Sequence, residues 1–338
     1  MAIANYIREI GRGKEGARSL TQVQAHDLMS QVLDGAVTDL EIGAFALAMR
    51  IKGESIAELA GFLEAAHARC IPVLPSGPSV VLPSYNGARK LPNLTALLAL
   101  LLAQEGVQVL VHGPMLDAGR VSTAEIFHDL GLPFASNTEE IDNAWARREP
   151  VFIATEALCP PLARLLAVRR VVGLRNSGHT IAKLLAPCRG GVSLRVVNYT
   201  HPEYATLLTG FLGHTLADAV LLRGTEGEPV ADPRRAPKLD VFVGGQPRSD
   251  LSYAAHEGVL TELPLLPRSN DAATTAHYIQ SVVSGEKPAP APLTRQVECL
   301  VRTLAAIGQP APKEQIALAR VHRVTWRWSV PGRETPNC

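Results

Sequence analysis

The sequence predicts an α/β protein in two parts, a small all-helical domain followed by a large α/β domain with a mostly parallel central sheet. Three observations carry this. The chain is 338 residues long, well beyond the commonest single-domain size of about 100 to 150 residues. Its first 70 residues show helical periodicity with capping signals, and after Pro72 short apolar runs alternate with helical stretches. Apolar residues make up 46% and charged residues 19%, which supplies a core and excludes intrinsic disorder.

Taken in order, Thr21 is placed to cap a helix whose apolar positions Val23, Leu28, Val32 and Leu33 recur at helical spacing, with Gly35 as the stop. Thr38 with Glu41 and Ser55 with Glu58 each form a capping-box pattern. Candidate strands follow at 80–82, 107–111, 151–154, 192–196, 219–222 and 239–243, with helical patterns near 95–105, 123–130 and 202–212. Residues 229–237 read as a charged loop and 287–292 as a Pro/Ala linker before closing helices. The longest apolar run, 96–103, is under half of the roughly 20 residues a membrane span needs. Residues 1–10 lack the layout of a signal peptide. A soluble cytoplasmic protein with no membrane partner is expected. The cysteines at 70, 159, 188, 299 and 338 form no C-x-x-C pair and suit a reducing compartment. No zinc, disulfide or cofactor is indicated.

Net charge is +1, but its distribution is uneven. Residues 65–104 and 157–202 contain no Asp or Glu and carry ten bases, whereas the other 252 residues carry 23 bases against 32 acids. Apolar strands and helices avoid carboxylates in any case; an anionic ligand or polymer is the sharper reading.

Four segments stand out. Ser84-Tyr85-Asn86-Gly87-Ala88-Arg89-Lys90 joins a predicted strand to Pro92-Asn93-Leu94-Thr95 at a helix start, where free N–H groups favour anions; Asn-Gly is also an ordinary turn signal. His112-Gly113-Pro114 closes a predicted strand, a position compatible with either a catalytic or a satisfied structural histidine. Asp117, Glu125 and Asp129 read as cap and surface residues rather than metal ligands. Arg169-Arg170, Arg175 and the helix start Ser177-Gly178-His179-Thr180 lie in the second acid-free window, and arginine's planar fork suits phosphate. Near the C-terminus, Arg320-Val321-His322-Arg323-Val324-Thr325-Trp326-Arg327-Trp328 interleaves bases with tryptophans; the pattern suits base stacking or an amphipathic strand.

Lys52-Gly53-Glu54-Ser55, followed by Glu58-Leu59-Ala60-Gly61, resembles the K-G-E-[ST]-x-x-E-[IL]-A-G signature of the anthranilate phosphoribosyltransferase family, glycosyltransferase family 3. Asn93-Leu94-Thr95, His112-Gly113 and Gly131-Leu132 follow in family order. The resemblance runs from about residue 3 to 320. It implies a phosphoribosyltransferase-like fold of nucleoside phosphorylase type: a helical domain at 1–72 with helices from about 160–188 packed on it, an α/β domain at 73–159 and 189–330, and a tail at 331–338. It also implies a homodimer formed through the helical domains.

The departures bear on function. The family's G-T-G-G-D-G loop corresponds here to Ser84-Tyr85-Asn86-Gly87-Ala88-Arg89, which presents a different backbone to a pyrophosphate. Val111 and Pro114 replace the lysine and asparagine of K-H-G-N, and Pro229 and Val230 stand where the family has Mg²⁺-binding carboxylates, with Glu228 a poor substitute. These replacements resemble a divergent, YbiB-type branch associated with dimers that bind DNA and RNA with little sequence preference and lack transferase activity. The resulting expectation is a catalytically degenerate homodimer without metal or catalytic residues. Arg89, Lys90, Arg164, Arg169, Arg170, Arg175, Lys183, Arg234, Arg235 and Lys238 would contact nucleic acid, single or double stranded, along a basic groove. Ser84, Asn86, Gly87, Asn93, Thr95, His112 and Gly113 would line a degenerate substrate cleft. The rival expectation is a phosphoribosyl or glycosyl transferase with a divergent substrate and metal arrangement, in which His112, Asn93, Thr95 and Arg175 line the active site. A scaffold that uses the basic track for an acidic protein is a third.

Overall fold

The computed structural model describes residues 3–13 and 15–308. The Arg320–Trp328 pattern, the end of the expected α/β domain, the 331–338 tail and Cys338 lie outside the described residues.

Four helices open the chain: α1 (Ala4–Ile10), α2 (Gln22–Leu33), α3 (Asp39–Lys52) and α4 (Ile56–His67). Thr21 with Gln24, Thr38 with Glu41 and Ser55 with Glu58 each close a capping box, so the N-terminal N–H groups that lack helical partners are satisfied locally. Helices α2 and α4 press Leu28, Met29, Leu59 and Phe62 into one core. A Cβ at Gly61 would lie 2.2 Å from the Gln22 carbonyl oxygen, so only glycine permits this approach.

Strands and helices then alternate through β1 (Ser79–Pro83), α5 (Thr95–Gln104), β2 (Gln108–Gly113), α6 (Thr123–Asp129), β3 (Phe134–Ala135), α7 (Thr138–Ala146) and β4 (Val151–Ala154). A helical excursion follows: α8 (Thr155–Leu158), α9 (Pro160–Ala167), α10 (Arg169–Val172) and α11 (Ser177–Ala182). The chain returns through β5 (Ser193–Tyr199), α12 (Glu203–His214), β6 (Ala219–Arg223), β7 (Leu239–Val243), β8 (Gln246–Pro247), α13 (Ala272–Val283) and α14 (Ala291–Ile307). The eight strands form one sheet in the order β3-β4-β2-β1-β5-β6-β7-β8. Pairing is parallel from β3 to β6 and antiparallel at the β7–β8 edge.

Apolar residues on both faces of the sheet explain its layering. One face packs on the N-terminal helices and on α9, α11 and α12; the other packs beneath α5, α6, α13 and α14. Helix α9 contacts α2, and α11 contacts α3 and α4. The strand order reverses between β1 and β5, and ligands of open α/β sheets bind outside the carboxyl ends of the strands at such a point. Two differences from the sequence reading are instructive. Strands β3 and β8 are two residues each, too short to leave an apolar pattern. Strand β5 continues past Val196 to include Asn198 and Tyr199, because pairing with Leu222 and Arg223 of β6 overrides the poor strand preference of asparagine. Among the described residues no helix is long and apolar enough to cross a membrane.

Candidate functional site

The loop after β1 and the turn after β6 meet at the reversal point, and two carboxylates join them. Glu228 is 1% exposed. Its carboxylate accepts the backbone N–H of Asn86 at 2.7 Å and of Gly87 at 2.8 Å, and the hydroxyls of Ser84, Thr95 and Thr123. Asn93 braces the arrangement: its amide nitrogen donates to the Thr123 hydroxyl at 2.9 Å and its oxygen accepts the Thr95 N–H at 3.1 Å. Glu226 holds a left-handed backbone, φ 53°, and its carboxylate accepts the N–H of Arg89 at 2.7 Å, Lys90 at 3.0 Å and Leu91 at 3.5 Å. Burial alone would raise the Glu226 pKa, but those three N–H groups outweigh it and hold the carboxyl below its usual range. Between the two acids, Gly227 has φ 90°, and a Cβ there would lie 1.8 Å from the Asn86 amide nitrogen.

The loop therefore does form an anion-binding nest of amides, and the chain fills it with its own side chains. Ser84, Asn86, Gly87, Asn93 and Thr95, expected to line a degenerate substrate cleft, come together as a buried, hydrogen-bonded cluster around Glu228. His112 and Gly113 lie in the packing beneath it. The His112 ring is fully buried, with Nδ1 3.0 Å from the Tyr85 hydroxyl and Nε2 3.2 Å from the Leu185 carbonyl oxygen. Burial pushes its pKa down to about 4; this is the satisfied structural histidine of the two readings. A Cβ at Gly113 would lie 1.8 Å from the Ser84 carbonyl oxygen, which explains the glycine.

The Mg²⁺ that the resemblance implies does not fit here. Pro229 and Val230 offer no side-chain oxygen, and the neighbouring Glu226 and Glu228 carboxylates face N–H and O–H donors, whose dipoles oppose a cation. Among the described residues no group of three or more His, Cys, Asp and Glu is arranged to hold a metal.

The expected basic track divides into several parts. Arg164, Arg169 and Arg170 line a groove of about 1000 Å³ together with Tyr85, Asp117 and Glu156. All three arginines are exposed, although Arg164 also donates to the Leu33 carbonyl at 3.0 Å. Arg175 and Lys183 turn instead into a second cavity of about 330 Å³. Arg175 donates to Asn86 Oδ1 at 2.8 Å and Lys183 to the Gly227 carbonyl at 3.4 Å. Burial, with the charges of Arg169, Arg120 and Arg50, lowers the Arg175 pKa against the opposing pull of Asp117. Lys183 is pushed down to about 8 by burial and by Arg175 and Arg120, against Glu228. Arg89 and Lys90 are exposed at the rim of the nest.

In the 234–238 loop two of the three bases are paired locally. Arg234 pairs with Asp232 at 3.1 Å and Lys238 with Asp240 at 2.8 Å, while Arg235 is exposed. Sequence reasoning missed Arg50, Arg120, Asn198 and the filling role of Glu226 and Glu228. The one available signal was Gly224-Thr225-Glu226-Gly227-Glu228, acids set among glycines directly after a strand. Nothing in one sequence says which loop they face.

Comparison with known proteins agrees with this fold. The helical bundle domain of the glycosyl transferase family matches residues 4–70. The uncharacterized protein YbiB of Escherichia coli K12 is 39% identical over 320 residues, 94% of this chain and 98% of its own length. An anthranilate phosphoribosyltransferase of Symbiobacterium thermophilum is 29% identical over 226 residues, 65% of this chain and 64% of its own length. Among solved structures, the anthranilate phosphoribosyltransferase of Thermus thermophilus superposes with a TM-score of 0.65 at 18% identity, covering 89% of this chain and 97% of that one. The Saccharomyces cerevisiae enzyme in complex with PRPP and Mg gives 0.64 at 14% identity, covering 90% and 96%.

Proposed function

Because the chain belongs to the anthranilate phosphoribosyltransferase-like proteins of glycosyltransferase family 3, with YbiB among its relatives, we propose that it has exchanged transfer chemistry for non-sequence-specific binding of nucleic acid. The observation that carries this reading is the contrast between the nest and the groove. The amide nest is occupied by Glu226 and Glu228, while Arg164, Arg169 and Arg170 stand exposed along an open groove with Arg175 and Arg120 adding to the positive field. A filled nest leaves a phosphoribosyl donor without its pyrophosphate seat. Exposed arginines in a groove suit phosphates spaced along a polymer, and contacts of that kind carry affinity without reading sequence. The absence of a Mg²⁺ fit disfavours the transferase alternative.

A homodimer through the helical domain completes the proposal. Leu40, Leu47 and Ile51 are 84%, 47% and 60% exposed on α3, and Leu47 and Ile51 border an apolar hollow with Ile7 and Ala44. An apolar row of this kind on a helix marks an interaction face.

The test is fluorescence anisotropy with labelled single strands and duplexes over a range of salt, alongside sedimentation for the dimer. Binding should weaken linearly in log–log form with salt and vary little with sequence. Arg169→Glu with Arg170→Glu should flatten the slope by about one unit per lost phosphate contact. Absent binding near physiological salt, or an unchanged slope in the double variant, overturns the groove; a 36.2 kDa species overturns the dimer.

A further inference from the structure

Cys70 and Cys159 are distant in sequence and meet where the helical bundle joins α9. Cys70 follows the last turn of α4, and Cys159 directly precedes Pro160 at the start of α9. Three contacts hold them together. The Cys70 thiol donates to the Ala66 carbonyl oxygen at 3.4 Å and the Cys159 thiol to the same oxygen at 3.7 Å, so both sulfurs converge on one atom. The Ile71 N–H donates to the Leu158 carbonyl oxygen at 3.0 Å, which bonds residues adjacent to the two cysteines backbone to backbone. A disulfide needs an approach of this kind, with Cα atoms about 4.4 to 6.8 Å apart. Cys159 is fully buried and Cys70 is 9% exposed. Hydrogen bonding to Cys159 and burial push the Cys70 thiol up, whereas Cys70, with the charges of Arg69 and Arg164, draws the Cys159 thiol down against its burial. A sulfur that ionises readily beside a second thiol is the arrangement that makes cysteines sensitive to oxidation. The other described cysteines differ: burial pushes Cys188 up to about 11 and Cys299 up to about 12, and Cys299 bonds to the Leu251 carbonyl oxygen in the core on the opposite face of the sheet.

We propose that Cys70 and Cys159 are a peroxide-responsive pair that closes into a reversible disulfide, clasping the end of α4 to the start of α9. Cys70, nearer the surface, attacks one oxygen of hydrogen peroxide; the O–O bond breaks, and the departing hydroxide takes the Cys70 proton and leaves as water. The Cys159 thiolate then attacks the sulfur of the Cys70 sulfenic acid. The S–O bond breaks, the S–S bond forms, and the departing hydroxide takes up the proton that Cys159 released. Two thiols lose two electrons, and one peroxide becomes two waters. A small dithiol reverses the step by exchange. The bond closes a long loop of the unfolded chain and so stabilises the fold. It joins the bundle to the helix that carries Arg164, but neither its formation nor its test depends on polymer binding.

Treatment of the full native chain with hydrogen peroxide, then alkylation of the remaining thiols after denaturation, intact mass and a peptide map, tests it. The oxidised chain should carry two fewer alkylated thiols, and the map should join the Cys70 peptide to the Cys159 peptide. Dithiothreitol should restore both thiols. Oxidation should raise Tm by about 2 to 8 °C. Cys70→Ser and Cys159→Ser should each abolish the loss of two thiols, and Cys188→Ser should leave it intact. The peptide map is read on the wild-type chain, so the test survives a serine variant that fails to fold. All five cysteines still alkylated after millimolar peroxide, a crosslink that joins any other pair or two chains, or a crosslinked chain whose Tm does not rise overturns the pair.

Discussion

The nest and the cavity beside it touch through Arg175–Asn86 and Lys183–Gly227 and balance their charges in opposite ways. Around Glu228 the donors are matched: two backbone N–H groups and the hydroxyls of Ser84, Thr95 and Thr123 converge on one carboxylate. A few residues away Lys183 and Arg175 are half-buried, crowded by Arg120, and neighboured by an Asn198 carboxamide that bonds to nothing. The nest is satisfied by the chain's own side chains, whereas the cavity gathers cationic groups with few partners.

The largest test of the comparison is Glu228→Ala. It strands the Asn86 and Gly87 N–H groups and the surrounding hydroxyls in the interior, and should cost about 3 to 5 kcal/mol in urea unfolding, the scale for breaking a buried charged network. A loss below 1 kcal/mol would mean that water replaces the carboxylate and that the nest is not sealed.

On the other side of the cleft the sign reverses. Lys183→Met should be neutral or stabilising, by up to about 3 kcal/mol less whatever solvent in the cavity screens. Its pH signature follows from a folded pKa of about 8 against an ordinary 10.5. Below pH 8 the ammonium is charged in both states and its burial penalty is present in full. Between pH 8 and 10.5 the unfolded chain binds the extra proton, so wild-type stability rises with pH across that window. Denaturation at pH 7.5 and 10 should show this rise in the wild-type chain and its disappearance in Lys183→Met; an equal rise in both would place the ionisation elsewhere.

The smallest effect is expected at the 234–238 loop. The Arg234–Asp232 pair is solvent-exposed on the arginine side, so Arg234→Ala should change stability by less than about 1 kcal/mol and leave the salt dependence of polymer binding as it was. A flatter slope would return this loop to the groove.

What the sequence disclosed followed the range of the interaction. Capping boxes at Thr38 and Ser55 are complete within four residues, and the strands at 151–154 and 239–243 are short apolar runs whose bounds match the observed ones. The second acid-free window contains Arg164, Arg169 and Arg170, which share one groove. It did not reveal that Arg175 and Lys183 point elsewhere, because a side chain's direction depends on the packing of α11 against α3 and α4. The sealing of the nest was hidden for the same reason. Glu228 meets Asn86 across 142 positions of sequence, and no local pattern encodes a contact of that span.

A carboxylate that is part of the chain cannot diffuse away from the amides it satisfies. Tethering places it in the nest at an effective concentration that even a short flexible linker raises to about the millimolar range, and the folded turn at Gly224–Pro229 holds it more firmly than such a linker. Free phosphate compounds at ordinary cellular concentrations therefore compete on unfavourable terms, and the nest is deaf to changes in their supply.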